Sequence, residues 1–171
     1  ATAQRCAEEG ATIVISDIHE RRLGEAADNL EKATGTRPAT VLCNVTEEDQ
    51  VQNLIAKAAE VTGGIDILVN NVGASWGSDK IDVSESDWDG IVTLNLKSQF
   101  LCAQEVVPHM TKQGGGRIVN VSSSAGRYRS VFTGSPYVSA KAGVMGLTRQ
   151  LAFELADKNI AVNSVVPGNV G

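Results

Sequence analysis

Residues 117–141 read RIVNVSSSAGRYRSVFTGSPYVSAK, and their order predicts a strand, a loop and a helix. Residues 117–122 form a short run rich in β-branched side chains, which is typical of a buried parallel strand. Glycine and proline residues mark the next stretch as an irregular loop. Tyr137 then opens an apolar helical segment that is predicted to run to about Lys158. A serine-rich strand end is therefore followed by a helix that begins with a tyrosine.

Strand-like and helix-like segments alternate in the same way along the whole chain. The predicted strands are residues 12–16, 40–43, 65–70, 117–122 and 160–166. The predicted helices are residues 2–9 and 20–33, a helix capped by Thr46, a long helix from Ser84 to Lys112, and residues 137–158. This alternation predicts an α/β protein with a Rossmann-type, doubly wound parallel sheet and helices on both faces.

The composition is that of an ordinary globular protein and argues against several classes of function. The chain has 171 residues, of which 42% are hydrophobic and 20% charged, and its formal net charge is −5. We expect no nucleic-acid partner and no membrane span, because no basic stripe and no apolar run of roughly 20 residues occurs. The three cysteines and two histidines lack metal-ligand spacing, so no metal site is expected. No signal peptide is visible, and the expected location is cytoplasmic.

The spacing of Tyr137 and Lys141 indicates acid–base chemistry. Residues four apart lie on one face of a helix, so the lysine ammonium can stabilise a phenolate. Such help is needed because a free phenol ionises only near pH 10. One of the serines at 122–124 can hold the oxygen of a carbonyl or an alcohol. This set of groups suits proton transfer to a substrate oxygen while a cofactor handles the hydride.

Asp17 ends the first predicted strand and indicates how the chain relates to a dinucleotide-binding sheet. In such sheets an acid at the end of the second strand follows a glycine-rich phosphate loop by about 20 residues. A position about 20 residues before Asp17 would lie before residue 1. We therefore expect the first strand and its glycine-rich loop to be absent from this sequence. Residues 167–171 stop inside a loop, and truncation is expected there too. The alternative is a complete, differently ordered small α/β domain.

Five motifs fall in order on these predicted elements. They are NNVG at residues 70–73, Asn95 within LNLK, VNVSS at 119–123, YVSAK at 137–141 and VNSVVPG at 162–168. Together they resemble the classical short-chain dehydrogenase/reductase family, and within it the 3-oxoacyl-carrier-protein reductase-like group. CNV at residues 43–45 resembles the adenine contact of that family, with Asn44 where an aspartate is usual. The resemblance implies that residues 1–171 form one partial dinucleotide-binding domain that also carries the catalytic site.

The resemblance also implies catalytic roles. Tyr137 is the general acid of carbonyl reduction and the general base of alcohol oxidation. Lys141 stabilises the phenolate and binds the nicotinamide ribose, and Asn95 holds a water that links Lys141 to solvent. Ser123 donates to the substrate oxygen when the motif is aligned on the Ala-Gly pair that follows it. Ser124 is the alternative, because it restores the usual spacing to Tyr137.

The cofactor contacts that the resemblance implies come from several loops. They are Asp17, Ile18, Asn44, Val45, Asn71, Val72, Gly73, Tyr137, Lys141, Pro167, Gly168 and Val170. Asp17 would bind both adenosine ribose hydroxyls and repel a 2′-phosphate, so NAD(H) is the expected cofactor. Arg21 and Arg22 leave NADP(H) possible, because an arginine close to the ribose can pair with a phosphate.

The implied activity is NAD(H)-dependent interconversion of a secondary alcohol and a ketone, with a small molecule as substrate. A homodimer or homotetramer is expected, because helices 85–112 and 137–158 resemble those that pair subunits in the family. Two alternatives are a non-catalytic dinucleotide-binding protein and an inactive fragment of the same fold. The presence of both Tyr137 and Lys141 favours the enzyme over the non-catalytic binder.

Overall fold

The structure, a computed structural model, describes residues 1–77 and 81–168. Over these residues, helices alternate with strands that pair only in parallel, which confirms the predicted α/β class. The strands are β1 (Val14–Asp17), β2 (Ala39–Leu42), β3 (Ile67–Asn70), β4 (Gly116–Val121) and β5 (Ile160–Val165). The helices are α1 (Thr2–Glu8), α2 (Glu20–Thr34), α3 (Glu48–Thr62), α4 (Glu85–Val92), α5 (Ser98–Lys112) and α6 (Ser135–Glu154). The chain divides into two units, Ala1–Gly64 and Ile65–Gly171.

The first unit is a two-stranded parallel sheet with three helices. β1 and β2 pair in register from Val14 opposite Ala39 to Asp17 opposite Leu42. Helices α2 and α3 each bury one stripe at spacings of three and four residues, which is the period of a helix that covers a core. The buried residues of these stripes are Leu23, Ala27 and Leu30 in α2, and Val51, Ile55 and Ala58 in α3.

The second unit contains a three-stranded parallel sheet in the order β3–β4–β5. Asn70 lies opposite Asn120, and Val121 lies opposite Val165, so the three strands end at one edge of the sheet. Segments that follow parallel strands meet at such an edge, where open α/β sheets bind ligands. Within the described residues, no helix has the length and hydropathy needed to cross a bilayer.

Two predicted helix starts have different outcomes. Ser84 caps α4 as predicted, because its Oγ accepts a hydrogen bond of 3.1 Å from the backbone N of Asp87. The prediction that Thr46 caps α3 is wrong, since the helix begins at Glu48. The Thr46 hydroxyl instead donates to Asn44 Oδ1 at 2.9 Å. That side-chain bond satisfies Thr46 within the turn that precedes the helix.

The predicted long helix from Ser84 to Lys112 is interrupted at its centre. A π-helical segment, Thr93–Lys97, separates α4 from α5 and contains Asn95. A single π-helical turn closes hydrogen bonds from residue i to i+5 and so inserts one extra residue into the helix, and such segments occur frequently at functional sites. The π-helical segment therefore makes Asn95 a candidate functional residue independently of any sequence motif.

Candidate functional site

Lys141 is a buried cation in the second turn of α6. Its side chain is only 2% exposed, and its Nζ donates a 2.9 Å hydrogen bond to the carbonyl oxygen of Val121 at the end of β4. Burial disfavours the charged ammonium and lowers the pKa of Lys141 to about 8. A lysine with this pKa exchanges its proton close to neutral pH, which an ordinary surface lysine does not do.

Asn95 presents an unused acceptor from the π-helical segment. The residue is fully buried, and its Nδ2 donates to the carbonyl oxygens of Ala74 at 2.7 Å and of Ile91 at 2.9 Å. Because both partners are acceptors, the amide nitrogen must face them, and this fixes the orientation of Oδ1. Oδ1 has no hydrogen-bond partner within the described part of the chain. A buried acceptor without a partner is a place where water or a ligand group is expected.

The side chains of Lys141 and Asn95 both lie next to Gly73. A Cβ added to Gly73 would lie 2.6 Å from Asn95 Oδ1 and 2.9 Å from Lys141 Nζ. The space beside this glycine is therefore shared by an unpaired acceptor and a cation with three donors, of which Val121 occupies one. The loop after β3, the π-helical segment and α6 meet around that space.

Tyr137 connects the buried lysine to an open cleft. The Nζ atom of Lys141 lies 5.7 Å from the centroid of the Tyr137 ring, as the spacing of one helical turn predicts. The tyrosine lines a cleft of about 400 Å³, which is large enough for a small organic molecule. The lining residues are Ser123, Ser124, Ala125, Arg129, Ser130, Val131, Phe132, Thr133, Tyr137 and Gly168.

The three serines after β4 differ in their surroundings. Ser122 is buried and its Oγ donates to the carbonyl oxygen of Lys141 at 2.7 Å, so it supports α6 and does not line the cleft. Ser123 Oγ accepts from the backbone N of Ala125 at 3.2 Å, which leaves its own proton available to a ligand. Ser123 and Ser124 both line the cleft, so these two remain the candidates.

A buried polar network beneath the site was not predicted from the sequence. Asn70 Nδ2 donates to Asn120 Oδ1 at 2.9 Å, and Asn120 Nδ2 donates to Thr148 Oγ1 at 3.0 Å. Gln99 Nε2 donates to the carbonyl oxygen of Val121 at 3.2 Å. The network ties β3, β4, α5 and α6 together at the end where Lys141 lies. Matching asparagines near the ends of the third and fourth predicted strands were the available signal.

The other residues predicted to contact the nicotinamide lie in two loops of the second unit. Asn71 and Val72 are exposed in the loop after β3, next to Gly73. The carbonyl oxygen of Pro167 accepts from the backbone N of Ser124 at 2.8 Å, which brings the loop after β5 to the serines. Gly168 lines the cleft. The predicted contact at Val170 lies outside the described residues.

The predicted adenosine-side residues follow β1 and β2 in the first unit. Asp17 Oδ1 accepts a 2.8 Å hydrogen bond from the backbone N of His19, which holds its carboxylate at the strand end. Ile18 is exposed, and Val45 is buried. Asn44 Oδ1 accepts from the backbone N of Thr46 at 3.2 Å and from its hydroxyl. Because β1 and β2 are parallel neighbours, Asp17 and Asn44 occupy the same edge of this small sheet.

Comparison with known proteins identifies the class. Residues 1–171 match the family model described as short chain dehydrogenase, and the chain belongs to the short-chain dehydrogenase family. It is 42% identical to the 3-oxoacyl-[acyl-carrier-protein] reductase FabG of Thermotoga maritima, over 98% of this chain and 68% of that protein. The family assignment and the Rossmann-like α/β fold predicted from the sequence are therefore confirmed. The chain spans about two thirds or less of the length of several such relatives.

Solved structures agree with this assignment. A short chain dehydrogenase from Mycobacterium smegmatis superposes with a TM-score of 0.92 at 38% identity, covering 99% of this chain and 69% of that one. A 7α-hydroxysteroid dehydrogenase complexed with NADH and 7-oxo glycochenodeoxycholic acid gives a TM-score of 0.86 at 34% identity, covering 93% of this chain and 61% of that one. The family consists of oxidoreductases that use NAD(P) and act on small molecules.

Proposed function

We propose that this chain carries the acid–base machinery of an enzyme that interconverts a secondary alcohol and a ketone with NAD(H). The observation that carries the proposal is the buried Lys141 ammonium, which shares one small space with the unpaired Oδ1 of Asn95 and lies beside Tyr137. A cation of lowered pKa, an open acceptor and a cleft-facing phenol together make a path for a proton.

Tyr137 is proposed to transfer the proton directly to or from the substrate oxygen. In carbonyl reduction its hydroxyl donates a proton to the developing alkoxide, and in alcohol oxidation its phenolate removes the hydroxyl proton. Lys141 stabilises the phenolate by its charge, because the ammonium lies one helical turn away. When bound, a nicotinamide cofactor supplies or accepts the hydride that balances this proton.

Lys141 and Asn95 are proposed to restore the proton on Tyr137 after each turnover. The space beside Gly73 is bounded by Asn95 Oδ1 and Lys141 Nζ, and a water there would accept from the lysine and donate to the amide oxygen. Gly73 is exposed, so we infer that a water beside it would exchange with bulk solvent. The proton therefore has a route from the buried ammonium to bulk water.

A hydroxyl after β4 is proposed to hold the substrate oxygen. Ser123 is the first candidate because its proton is free while its oxygen is held by the backbone N of Ala125. Gly126 supports the alignment that selects Ser123, since a Cβ there would lie 2.5 Å from the backbone carbon of Lys141. That close approach needs a glycine and fixes the loop against α6. Ser124 lines the same cleft and remains the alternative.

The residues of the second unit fit the nicotinamide end of a dinucleotide. The unpaired Asn95 oxygen and the remaining donors of Lys141 offer polar partners, and a side chain at Gly73 would fill the space beside them. Lys141 and Tyr137 are proposed to bind the nicotinamide ribose. The other proposed contacts are Asn71, Val72, Gly73, Pro167, Gly168 and Val170.

The residues of the first unit are proposed to hold the adenosine end. Asp17 is fixed at the end of β1 by the backbone N of His19, and its carboxylate is proposed to accept from both ribose hydroxyls. Its charge would repel a 2′-phosphate, which favours NAD(H) over NADP(H). Arg21 is paired with Glu25 at 2.7 Å, which weakens the case for a phosphate partner there. Asn44, with Ile18 and Val45, is proposed to contact the adenine.

Cofactor binding and hydride transfer test this proposal together. Binding of NADH and NADPH would be measured by tryptophan fluorescence and calorimetry on the protein expressed from its complete reading frame. Turnover with a panel of ketones and secondary alcohols would be followed through the absorbance of the reduced nicotinamide. Tighter binding of NADH and turnover of at least one ketone are expected. Binding of neither cofactor would contradict the proposal, and binding without turnover would favour a non-catalytic dinucleotide-binding protein.

Three broader predictions remain proposals of the same kind. We infer that residues 1–171 belong to one dinucleotide-binding domain, that the protein works as a homodimer or homotetramer, and that it acts in the cytoplasm. Sedimentation of the protein expressed from its complete reading frame would test the oligomeric state. A monomer at micromolar concentration would contradict it.

A further inference from the structure

The cleft beside Tyr137 is walled on one side by the loop between the serines and α6. Arg129, Ser130 and Phe132 of this loop line the cleft together with the tyrosine. Arg129 is exposed, and it makes no hydrogen bond or ion pair within the described part of the chain. A guanidinium is therefore available at the wall of the cavity in which the substrate oxygen would be held.

The charge pattern around this arginine differs from that of the rest of the chain. Residues 106–153 contain six lysines and arginines and no aspartate or glutamate, although the whole chain has 20 acidic and 15 basic residues. No acidic residue close to Arg129 in sequence can form an ion pair with it. Arg37, in contrast, is paired with Asp28 and Glu31. An unpaired arginine in an acid-free segment attracts anions.

The loop holds a defined conformation at this point. Ser130 Oγ lies 3.1 Å from the backbone N atoms of Phe132 and Thr133, and 2.9 Å from Thr133 Oγ1. One hydroxyl therefore organises the turn that follows Arg129, and this reduces the cost of ordering the loop around a ligand. The ring of Phe132 is 73% exposed and supplies apolar surface beside the arginine.

We propose that Arg129 selects substrates that carry an anionic group, either a carboxylate or a phosphate, close to the ketone or alcohol carbon. The inference rests on the proposed function, because it places the reacting oxygen at Tyr137 in the same cleft. The guanidinium binds the anion through two parallel hydrogen bonds, and Phe132 contacts the apolar part of the molecule. Arg129 sets specificity and takes no part in proton transfer.

Matched substrate pairs test this selectivity. The pairs are acetoacetate with methyl acetoacetate, for a carboxylate, and dihydroxyacetone phosphate with dihydroxyacetone, for a phosphate. In the protein expressed from its complete reading frame, the anionic member of one pair is expected to have at least about a ten-fold higher kcat/KM. Arg129→Gln removes that preference through KM. Arg127→Gln is the matched control, because Arg127 stacks on Tyr128 outside the cleft and the preference should survive.

Equal kcat/KM within both pairs would overturn the inference, and so would a preference that survives Arg129→Gln. If the protein turns over none of these substrates, the binding of anions alone still tests the inference. The inert variant Tyr137→Phe would be titrated with acetoacetate and with dihydroxyacetone phosphate by calorimetry. Binding of either anion that is lost when Arg129→Gln is added supports the inference even without catalysis. Binding of neither anion, or binding unchanged by Arg129→Gln, contradicts it.

Discussion

Residues 1–64 pair their charged side chains at the surface, whereas residues 65–168 bury polar side chains. Five of the six ion pairs in the described residues lie in the first unit, and all of them are solvent-exposed. The buried polar residues all lie in the second unit: Asn70, Asn95, Ser98, Gln99, Asn120, Ser122, Lys141 and Thr148. Burying polar groups costs stability, and their concentration in the second unit agrees with the catalytic site proposed there.

The two units also differ in whether their polar side-chain oxygens have hydrogen-bond partners. In the first unit, the oxygens of Asp17 and Asn44 accept from backbone N–H groups two residues further on. In the second unit, Asn95 Oδ1 and Gln99 Oε1 are buried and have no partner among the described residues. Local turns explain the first pair, whereas the second pair consists of acceptors that the protein itself leaves open to a water or a ligand group.

The largest effect is expected from Tyr137→Phe. The variant keeps the ring beside Lys141 and removes the only atom proposed to move a proton to the substrate. General acid–base catalysis contributes about 10²- to 10⁴-fold, so kcat should fall by that factor, whereas cofactor affinity should weaken only by the one hydrogen bond proposed to the nicotinamide ribose. Steady-state kinetics and cofactor titration would measure both. A variant with more than about half of the wild-type kcat would remove Tyr137 from the mechanism.

Gly73→Ala tests whether the shared space beside the lysine matters. The added methyl would lie 2.6 Å from Asn95 Oδ1 and 2.9 Å from Lys141 Nζ, both of them side-chain atoms and not backbone, so the fold should survive while both groups are forced to shift. A misplacement of about 1 Å can cost about 10²-fold, and a loss of that order in kcat/KM is expected.

Gly146→Ala is the matched control in the same unit. The nearest atom to its added Cβ is a terminal nitrogen of Arg149 at 3.9 Å, which is ordinary contact. Its activity should be unchanged, and its free energy of unfolding should rise by roughly 0.5 to 1 kcal/mol. Equal activity losses in the two variants would show that the effect is not specific to the site.

Stability should respond differently to substitutions in the two units. Asn120→Ala leaves Asn70 and Thr148 buried without their partner, so it should lower the free energy of unfolding by about 1 to 3 kcal/mol. Arg21→Gln breaks an exposed ion pair with Glu25 and should change it by less than about 0.5 kcal/mol. Urea denaturation would measure the free energy of unfolding of both variants, and an equal loss in Arg21→Gln and Asn120→Ala would contradict this difference between the units.

A smaller effect is expected in cofactor selectivity. Asp17→Asn retains an acceptor for the backbone N of His19 but loses the charge that would repel a 2′-phosphate. The ratio of kcat/KM for NADH to that for NADPH should therefore fall by about ten-fold. Asp28→Asn, which changes a carboxylate paired with Arg37, should leave the ratio unchanged. An unaltered ratio in Asp17→Asn would remove this residue from cofactor selection.

Local sequence patterns predicted most of the elements, because helices such as α2 and α3 have a regular apolar period. The start of α3 was predicted wrongly because Asn44 captures the Thr46 hydroxyl and Gln50 Oε1 accepts from the backbone N of Asn44. The capping rule considers only hydrogen bonds between a hydroxyl and the first turn of the helix, and it does not include such bonds within the preceding turn. The π-helical segment reads TLNLK, and although its Thr93 and Asn95 are weak helix formers, their presence does not specify an extra residue. Its centre is held by the contact of Asn95 with Ala74, which lies 21 residues away.

The sequence motifs predicted which residues lie near one another in the candidate site, but not how they are buried. The spacing of Tyr137 and Lys141 correctly predicted that the two side chains lie together on one helix. Burial of the lysine depends on the packing of α6 on β4, which no periodicity reveals. The position of Arg129 likewise depends on an irregular loop whose turn is organised by Ser130. The roles of all these residues remain predictions.

Titration of the Lys141 ammonium tests the central claim most directly. Its ε-carbon signal would be followed by NMR against pH in the protein expressed from its complete reading frame, with Lys141→Arg used for assignment. We expect a pKa of about 8, because burial favours the neutral amine. The ammonium would then lose its charge, and its effect on Tyr137, as the pH rises through about 8. A lysine that titrates near its ordinary value of 10.5 would contradict the account.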